Sequence, residues 1–548
     1  MKAASKLSVV EFTTKAQIIK RIQQLVPPGS PEPQDPAIIA TLKSLTQQLI
    51  QAYKADGQLQ IEPFSDVRDR TLHLYRQEVK SKLEGKVILV TGGEGCVGTH
   101  LIKKLLELGA KRIVSVDKAR CYNLQENIPT RTEKGNIIFY AVDVRNSEAL
   151  RYVFETEKPD LVFHLAAQRL PGLAEIKIRE TITTSLLGTK HIIQLCEEYR
   201  VQQCIFSSTG KASRYFTTEV YAASKKFAEW QFAQAAQEGN VTYGMVRFTH
   251  MLENSSFCEQ MENKVQEGKI VNVHAPHRYV TAQNLEEAVH LLLNSLVFSV
   301  PGKLKFLTVR NLGWPTETLE VALHKILESG KNIPIYFQGL IPGYEEPFFL
   351  GQFDWSHPTE IHLLMNVLEN PSRKIDASGE IEIAELAPFS LRTLAKQLLC
   401  LEILVKDESL LPEAQMKEAL VTAEREVIAS SFSWTSAPEL LRILKWGINP
   451  KKMQAEGYDI ISYRDILELL LQGLHGRLNK EVLNLARVTP DEFDDMIEIL
   501  STVDSIQLEV AYFRSVSRYV REFAPVGNLT QVMPQNSGIS EALTVKCA

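Results

Sequence analysis

Tyr221 and Lys225 stand four residues apart, so on a helix they share one face. A phenol titrates near 10, too high for a base at neutral pH. A neighbouring ammonium favours the phenolate, as does a cationic nicotinamide ring, and both bring that value down. Thr209 comes 12 residues before Tyr221 and closes the apolar run "CIFSST". Its hydroxyl is placed to hold a substrate oxygen at the C-terminal end of a strand, where open α/β sheets bind their ligands. Tyr-x-x-x-Lys alone recurs on many surface helices. The strand-end Ser-Ser-Thr ahead of it makes it a candidate proton-transfer set for hydride chemistry, with Tyr221, Lys225 and Thr209 as catalytic residues.

Such chemistry needs a dinucleotide, and "KVILVTGGEGCVGTHLIKKLLELG" offers a site for one. The glycines are spaced Gly92-x-x-Gly95-x-x-Gly98, after a strand and at the opening of a helix. Glycines there let the backbone approach a pyrophosphate, whose charge then lies at the positive helix N-terminus. Cys96 and Val97 belong to the same turn. Asp117 ends the next strand, 19 residues after Gly98, where an acid accepts the adenosine ribose hydroxyls. Lys118 and Arg120 could instead hold a 2′-phosphate, so NAD and NADP both remain open. NAD is favoured because Asp117 would repel that phosphate. Asp143 and Val144 suit the adenine edge, Ala166 lines the cofactor crevice, and Lys225 also touches the cofactor.

The elements that carry these residues alternate. "KVILV", "RIVSVD", "IIFYAVDV", "LVFHLAA" and "CIFSST" are short β-branched apolar runs, with helical patterns between most of them. That alternation predicts a doubly wound parallel sheet of the α/β class, a Rossmann fold with a small substrate subdomain. Residues 1–80 read as an N-terminal helical region, broken by the proline-rich "VPPGSPEPQDP", and 81–365 as the dinucleotide and substrate domain. Residues 366–525 read as a C-terminal helical domain and 526–548 as a loose tail. Ser436-Ala-Pro-Glu439 and Thr489-Pro-Asp-Glu492 mark two helix starts in the C-terminal domain.

Composition narrows the classes. At 548 residues, 44% hydrophobic and 23% charged, the chain reads as a multi-domain globular protein. A net charge of −5 gives no general attraction to nucleic acid or anionic membrane. No apolar run is long enough to span a bilayer, and the N-terminus has no signal-peptide core. The seven cysteines are scattered, with no metal cluster or disulfide framework, so the expected location is cytoplasmic. His274 and His277 lack further ligands, so no metal is expected. Trp434 and Trp446 are expected to anchor the core.

Over about residues 84–370 the chain resembles the extended short-chain dehydrogenase/reductases. Within them it is similar to the nucleotide-sugar 4,6-dehydratases and epimerases of polysaccharide biosynthesis. "VTGGEGCVG", "DVRN", "KPDLVFHLAA", "LLGT", "SSTGKA", "ASKKFAE", "VRF", "HRYVTAQNLEEAV" and "IPGYEE" follow the family's order. The resemblance implies tightly held NAD(P), a nucleotide-sugar substrate (UDP-linked by preference), a C4-keto intermediate, and a homodimer paired through helices of the Rossmann domain. It also implies substrate contacts at Arg169, Lys211, His250 and Arg278. The departures gather in the substrate half. Gly210 stands where the dehydratases place an aspartic acid, the expected proton donor to the departing hydroxyl. Ser185, Arg169 with Leu170, His250 and Ile341 also differ from the family pattern. Glu219 is a stand-in acid only if it is not a solvated loop carboxylate, the simpler expectation, and Lys226 reads as a solvated charge. Epimerisation therefore suits the residues better than dehydration. The alternatives are a reductase or dehydrogenase on a different substrate and a non-catalytic dinucleotide-binding scaffold.

Overall fold

The computed structural model describes residues 14–118, 130–253, 256–406, 412–456 and 459–522. A ten-stranded sheet organises most of them. Its strands in chain order are β1 (Val87–Thr91), β2 (Arg112–Asp117), β3 (Arg131–Lys134), β4 (Ile137–Ala141), β5 (Leu161–His164), β6 (Gln203–Thr209), β7 (Thr242–Phe248), β8 (Lys305–Val309), β9 (Lys374–Ile375) and β10 (Ile381–Glu385). Across the sheet they run β9-β10-β8-β7-β6-β5-β1-β2-β4-β3. The stretch from β8 to β4 is parallel throughout. The two edges are antiparallel. β1, β2, β5 and β6 are almost entirely buried along their length, as strands covered on both faces must be. From β1 the chain winds outward through β2 and β4, then returns to place β5 on the other side of β1. This reversal opens a crevice beyond the C-terminal ends of β1 and β5, where ligands of such sheets bind. The doubly wound Rossmann class expected from the apolar runs is the fold observed.

The described residues form two compact units that cut across the segments drawn from sequence. One comprises the chain up to Leu72 with Thr249–Ala288 and Asn311–Glu345. In it the N-terminal helices Lys15–Leu25 and Pro36–Ala55 share a core with the parallel pair Val271–Val273 and Ile335–Phe337. Thr46 Oγ accepts the Ile335 amide at 3.0 Å, and Tyr53 donates to Glu317 at 2.8 Å. The helices before residue 72 are thus part of this unit's core.

The other unit comprises His73–Phe248, Val289–Arg310 and the chain from Glu346 onward. One continuous core runs from the sheet into the C-terminal helices. Helices Leu391–Lys406 and Glu413–Trp434 lie against Ile178–Ile182, Gly188–Glu198 and Val220–Glu238, with Lys190 paired to Glu402 at 2.5 Å and Trp230 packed on Phe389. Thr489 closes a full capping box with Glu492. Ser436 begins its helix at the expected place without a side-chain bond to the helix backbone. The expected tail lies outside the described residues. Trp446 is partly buried against the core, but Trp434 is 61% exposed, which corrects its reading as an anchor: it is the last residue of its helix and points past the packed face.

Candidate active site

The glycine turn after β1 is shaped as its spacing predicts. Gly92 has φ +71°, and a Cβ there would come within 2.9 Å of the Ala166 amide nitrogen across the crevice. A Cβ on Gly98 would run into the Gly92 carbonyl and lie 2.8 Å from Gly93 Cα, so this glycine lets the helix sit directly on the turn. Gly95 caps helix Cys96–Glu107, and Cys96 and Val97 form its first turn. Backbone amides and a helix N-terminus therefore face the crevice with no side chain between. Asp117 Oδ2 accepts the Glu94 amide at 3.1 Å, which ties the acid to the same turn. Lys118 is paired to Glu180 at 2.7 Å. Arg120 lies outside the described residues. Asp143 is bound by the Arg145 guanidinium at 2.6 and 3.0 Å. Burial pushes its carboxyl up, but Arg145 outweighs this and holds it below the ordinary range. Val144 packs on Gly188, and its carbonyl meets His191 Nδ1 at 3.0 Å.

A buried relay beneath the crevice was not foreseen. Thr91 Oγ accepts the amides of Leu165 and Ala166 at 3.2 and 3.3 Å, so its proton goes to His164 Nδ1 at 2.7 Å. His164 Nε2 then donates to Thr189 Oγ at 3.3 Å. Burial, with Lys225 adding to it, pushes the imidazole down to about 3 and keeps it neutral. The signal was a histidine closing the apolar run "LVFH".

Thr209 ends β6, and Tyr221 and Lys225 lie in the first two turns of helix Val220–Glu238, which packs beside that strand. Thr209 caps the short turn Gly210–Ser213, accepting the Lys211 amide at 3.3 Å. Tyr221 is half-buried in the first turn of the helix, one turn before Lys225. Lys225 Nζ is buried, donates to the Ser207 carbonyl at 2.8 Å and lies 4.8 Å from the Phe206 ring centre. Burial pushes the ammonium down to about 8 against the pull of Glu229. Glu229 belongs to a buried charge cluster: Arg247 binds it at 2.7 and 2.9 Å and Glu369 at 2.8 Å twice, and Ser208 donates to it at 2.6 Å. An arginine inside the strand motif "VRF" was its sequence sign.

Gly210 is buried, and a Cβ there would collide with the Leu364 side chain. The space in which an acid at 210 would begin is filled by a leucine. Two solvated charges are corrected. Glu219 is 4% exposed, with Lys211 Nζ at 2.5 Å and Arg214 at 3.2 Å. Lys226 is 3% exposed and paired to Glu424 at 2.6 Å. Helix Glu413–Trp434 buries Lys226, and the turn after β6 folds back to bury Glu219. Lys211 is pushed down by burial, which the Glu219 carboxylate opposes. Arg169 follows β5 in the same unit. His250 and Arg278 belong to the other unit: His250 begins a short strand paired with Ala282–Gln283, and burial lowers its pKa, while the Arg278 carbonyl accepts the Thr318 amide at 2.8 Å. Among the described residues no group of three His, Cys, Asp or Glu side chains could hold a metal ion, and no helix is long and apolar enough to cross a membrane.

A family profile described as "Polysaccharide biosynthesis protein" matches residues 88–349, which carry the glycine turn, Thr209, Tyr221 and Lys225. That match spans just under half of the chain, 262 of its 548 residues. The chain is 26% identical over 318 residues to the Staphylococcus aureus "Capsular polysaccharide biosynthesis protein CapD", covering 53% of this chain and 52% of that protein. The chain thus spans about half of CapD's length. It is 29% identical over 254 residues to the human "dTDP-D-glucose 4,6-dehydratase", covering 46% of this chain and 68% of that one. A solved UDP-glucose 4-epimerase from Thermus thermophilus in complex with NAD superimposes with a TM-score of 0.40 at 22% identity, over 47% of this chain and 88% of that one. The family match stops at 349, so the C-terminal helices that bury Lys226 lie beyond it.

Proposed function

We propose that the chain is an NAD(P)-dependent nucleotide-sugar enzyme that works through a C4-keto sugar and epimerises rather than dehydrates. The observation that carries this reading is Thr209 at the C-terminal end of β6, with Lys225 bonded to Ser207 two residues before it and Tyr221 one helical turn before Lys225, within the matched segment that also holds the glycine turn. The side-chain-free cradle at Gly92 and Gly98 fits a pyrophosphate, and Asp117 fits a ribose diol. NAD is favoured over NADP, because Asp117 would repel a 2′-phosphate and Lys118 is already engaged by Glu180. A bound NAD(P) supplies hydride acceptance from the sugar carbon and its later return.

The remaining work falls to the chain. Tyr221 takes the proton of the sugar hydroxyl as the ketone forms and gives it back on reduction. Lys225, cationic below about pH 8, holds the phenolate down. Thr209 steadies the reacting oxygen. Elimination of water asks for one further acid, and Leu364 fills the space in which a side chain at 210 would start. General acid assistance is worth about 10²–10⁴-fold, so its loss separates the two outcomes. We further propose UDP-linked sugars as substrates, with Arg169, Lys211, His250 and Arg278 as their contacts, and a cytoplasmic site of action. A homodimer would have to form on a face other than that covered by helices Leu391–Lys406 and Glu413–Trp434.

The test incubates the purified chain with NAD and a panel of UDP-sugars, including UDP-glucose and UDP-N-acetylglucosamine, and follows products by mass and by NMR. An inverted C4 centre at unchanged mass is expected, abolished in Tyr221→Phe. Loss of a water from any sugar would overturn the epimerase reading, and full activity in Tyr221→Phe would overturn the catalytic assignment.

A further inference from the structure

The loop joining Thr209 to Tyr221 has one short turn, Gly210–Ser213, and is otherwise irregular, so its shape must be imposed from outside. Two carboxylates distant in sequence do this. Glu424, on helix Glu413–Trp434, is fully buried; its Oε1 accepts Lys226 Nζ at 2.6 Å and the Thr217 amide at 3.2 Å. Lys226 Nζ also donates to the Tyr215 carbonyl at 3.0 Å. Glu346 grips the same stretch by accepting from Arg214 at 2.7 Å, from the Thr217 hydroxyl and from the Thr218 amide at 3.4 Å. The loop backbone is therefore bonded at 215, 217 and 218, immediately before the helix that carries Tyr221.

A buried ion pair is a poor device for stability alone, since two well-packed apolar side chains commonly serve as well. An apolar pair cannot accept the Thr217 amide or donate to the Tyr215 carbonyl. Burial pushes the Glu424 carboxyl up to about 7 against the pull of Lys226, and the nearby Glu346 pushes the same way. The pair is kept against a desolvation penalty, as groups retained for placement are.

We propose that Lys226 and Glu424 are positioning residues, which fix the loop backbone at 215–217 and so set Thr209 and Tyr221 in register for the reaction. This makes helix Glu413–Trp434 a working part of the active site, and it rests on the reading of Tyr221 as the acid–base residue. A misplacement of about 1 Å at such a site costs about 10²-fold in turnover.

The experiment compares full-length wild type with Lys226→Met/Glu424→Met, which removes both charges together, and with the isosteric Glu424→Gln. Three quantities are read: backbone hydrogen exchange over 214–218 against the glycine turn 91–99, NADH affinity, and kcat with KM. The double variant is expected to fold, to bind NADH as wild type does and to exchange at least tenfold faster over 214–218 alone, with kcat about 10²-fold lower. Glu424→Gln, which keeps the acceptor but not the charge, falls between, and Glu424→Asp regains part of the turnover. Wild-type exchange over 214–218 in either folded variant overturns the proposal, as does faster exchange with unchanged kcat. Exchange and NADH binding are read without a sugar substrate, so the loop-anchoring claim stands or falls even if Tyr221→Phe shows the catalytic reading to be wrong.

Discussion

Replacing Lys225 by methionine should make the protein more stable at neutral pH while disabling it, and pH separates the two effects. Burial lowers the ammonium from an ordinary 10.5 to about 8. At 1.36 kcal/mol per unit this is ~3 kcal/mol that the folded state forgoes wherever the lysine is charged. Against it stands the bond to the Ser207 carbonyl, whose loss costs about 1–1.5 kcal/mol. Lys225→Met should then gain about 1–2 kcal/mol at pH 7. The sign follows from proton counting. Below about 8 both states hold the proton and the penalty is constant. Between about 8 and 10.4 the unfolded chain still binds it and the folded chain does not, so wild-type stability rises with pH through that window relative to the variant. Urea unfolding of the unit that contains β6, at intervals from pH 7 to 10.4, should show the variant's advantage shrink by ~3 kcal/mol and change sign at about pH 9. Turnover of the variant should be about 10²–10⁴-fold lower throughout, and wild-type turnover should decline above pH 8. A stability difference that stays flat from pH 7 to 10.4 would refute the claim that this ammonium is desolvated.

Gly210→Ala should cost about 1–3 kcal/mol by overpacking against Leu364, and Gly210→Ala/Leu364→Ala should be less unstable than the sum of the single changes, read as a non-zero coupling in a double-mutant cycle. Arg247→Met should cost about 3–5 kcal/mol, because Glu229 and Glu369 are left buried without their shared partner. Its unfolding midpoint in urea gives the check, and a loss under 1 kcal/mol would mean that the two carboxyls relax to solvent or take up protons at little cost.

The sheet was legible because its signal is local. Each of the five apolar runs became a strand, three of them within a residue of where they were read and two (137–144 and 161–167) ending three residues earlier, and the glycine turn took the geometry its spacing requires. The edges were not legible: β3 is exposed along its whole length and β9 has only two residues, so neither carries an apolar pattern. The candidate site divided in the same way. Tyr221, Lys225 and Thr209 announce themselves by spacing on one helix and one strand. Glu219 and Lys226 read as solvated because what buries and pairs them is not in their own window; Lys226 meets Glu424 198 residues further on. The Thr91–His164 relay joins two strands adjacent in space but 73 residues apart. Short-range pattern showed which residues could do chemistry, and long-range packing decided how they were held.

The dependence of helix Val220–Glu238 on helix Glu413–Trp434 also sets an order of events during synthesis. When Lys226 leaves the ribosome, its partner is still 198 residues from being made. At ~5–20 residues per second that interval lasts about 10–40 s. For that time the nascent sheet carries a buried-type lysine with no counter-ion and an apolar helix face with nothing upon it. The loop before Tyr221 reaches its final shape only after most of the chain has been translated, and a message cut short after residue 349 would yield a product with a sticky face open to chaperones and proteases.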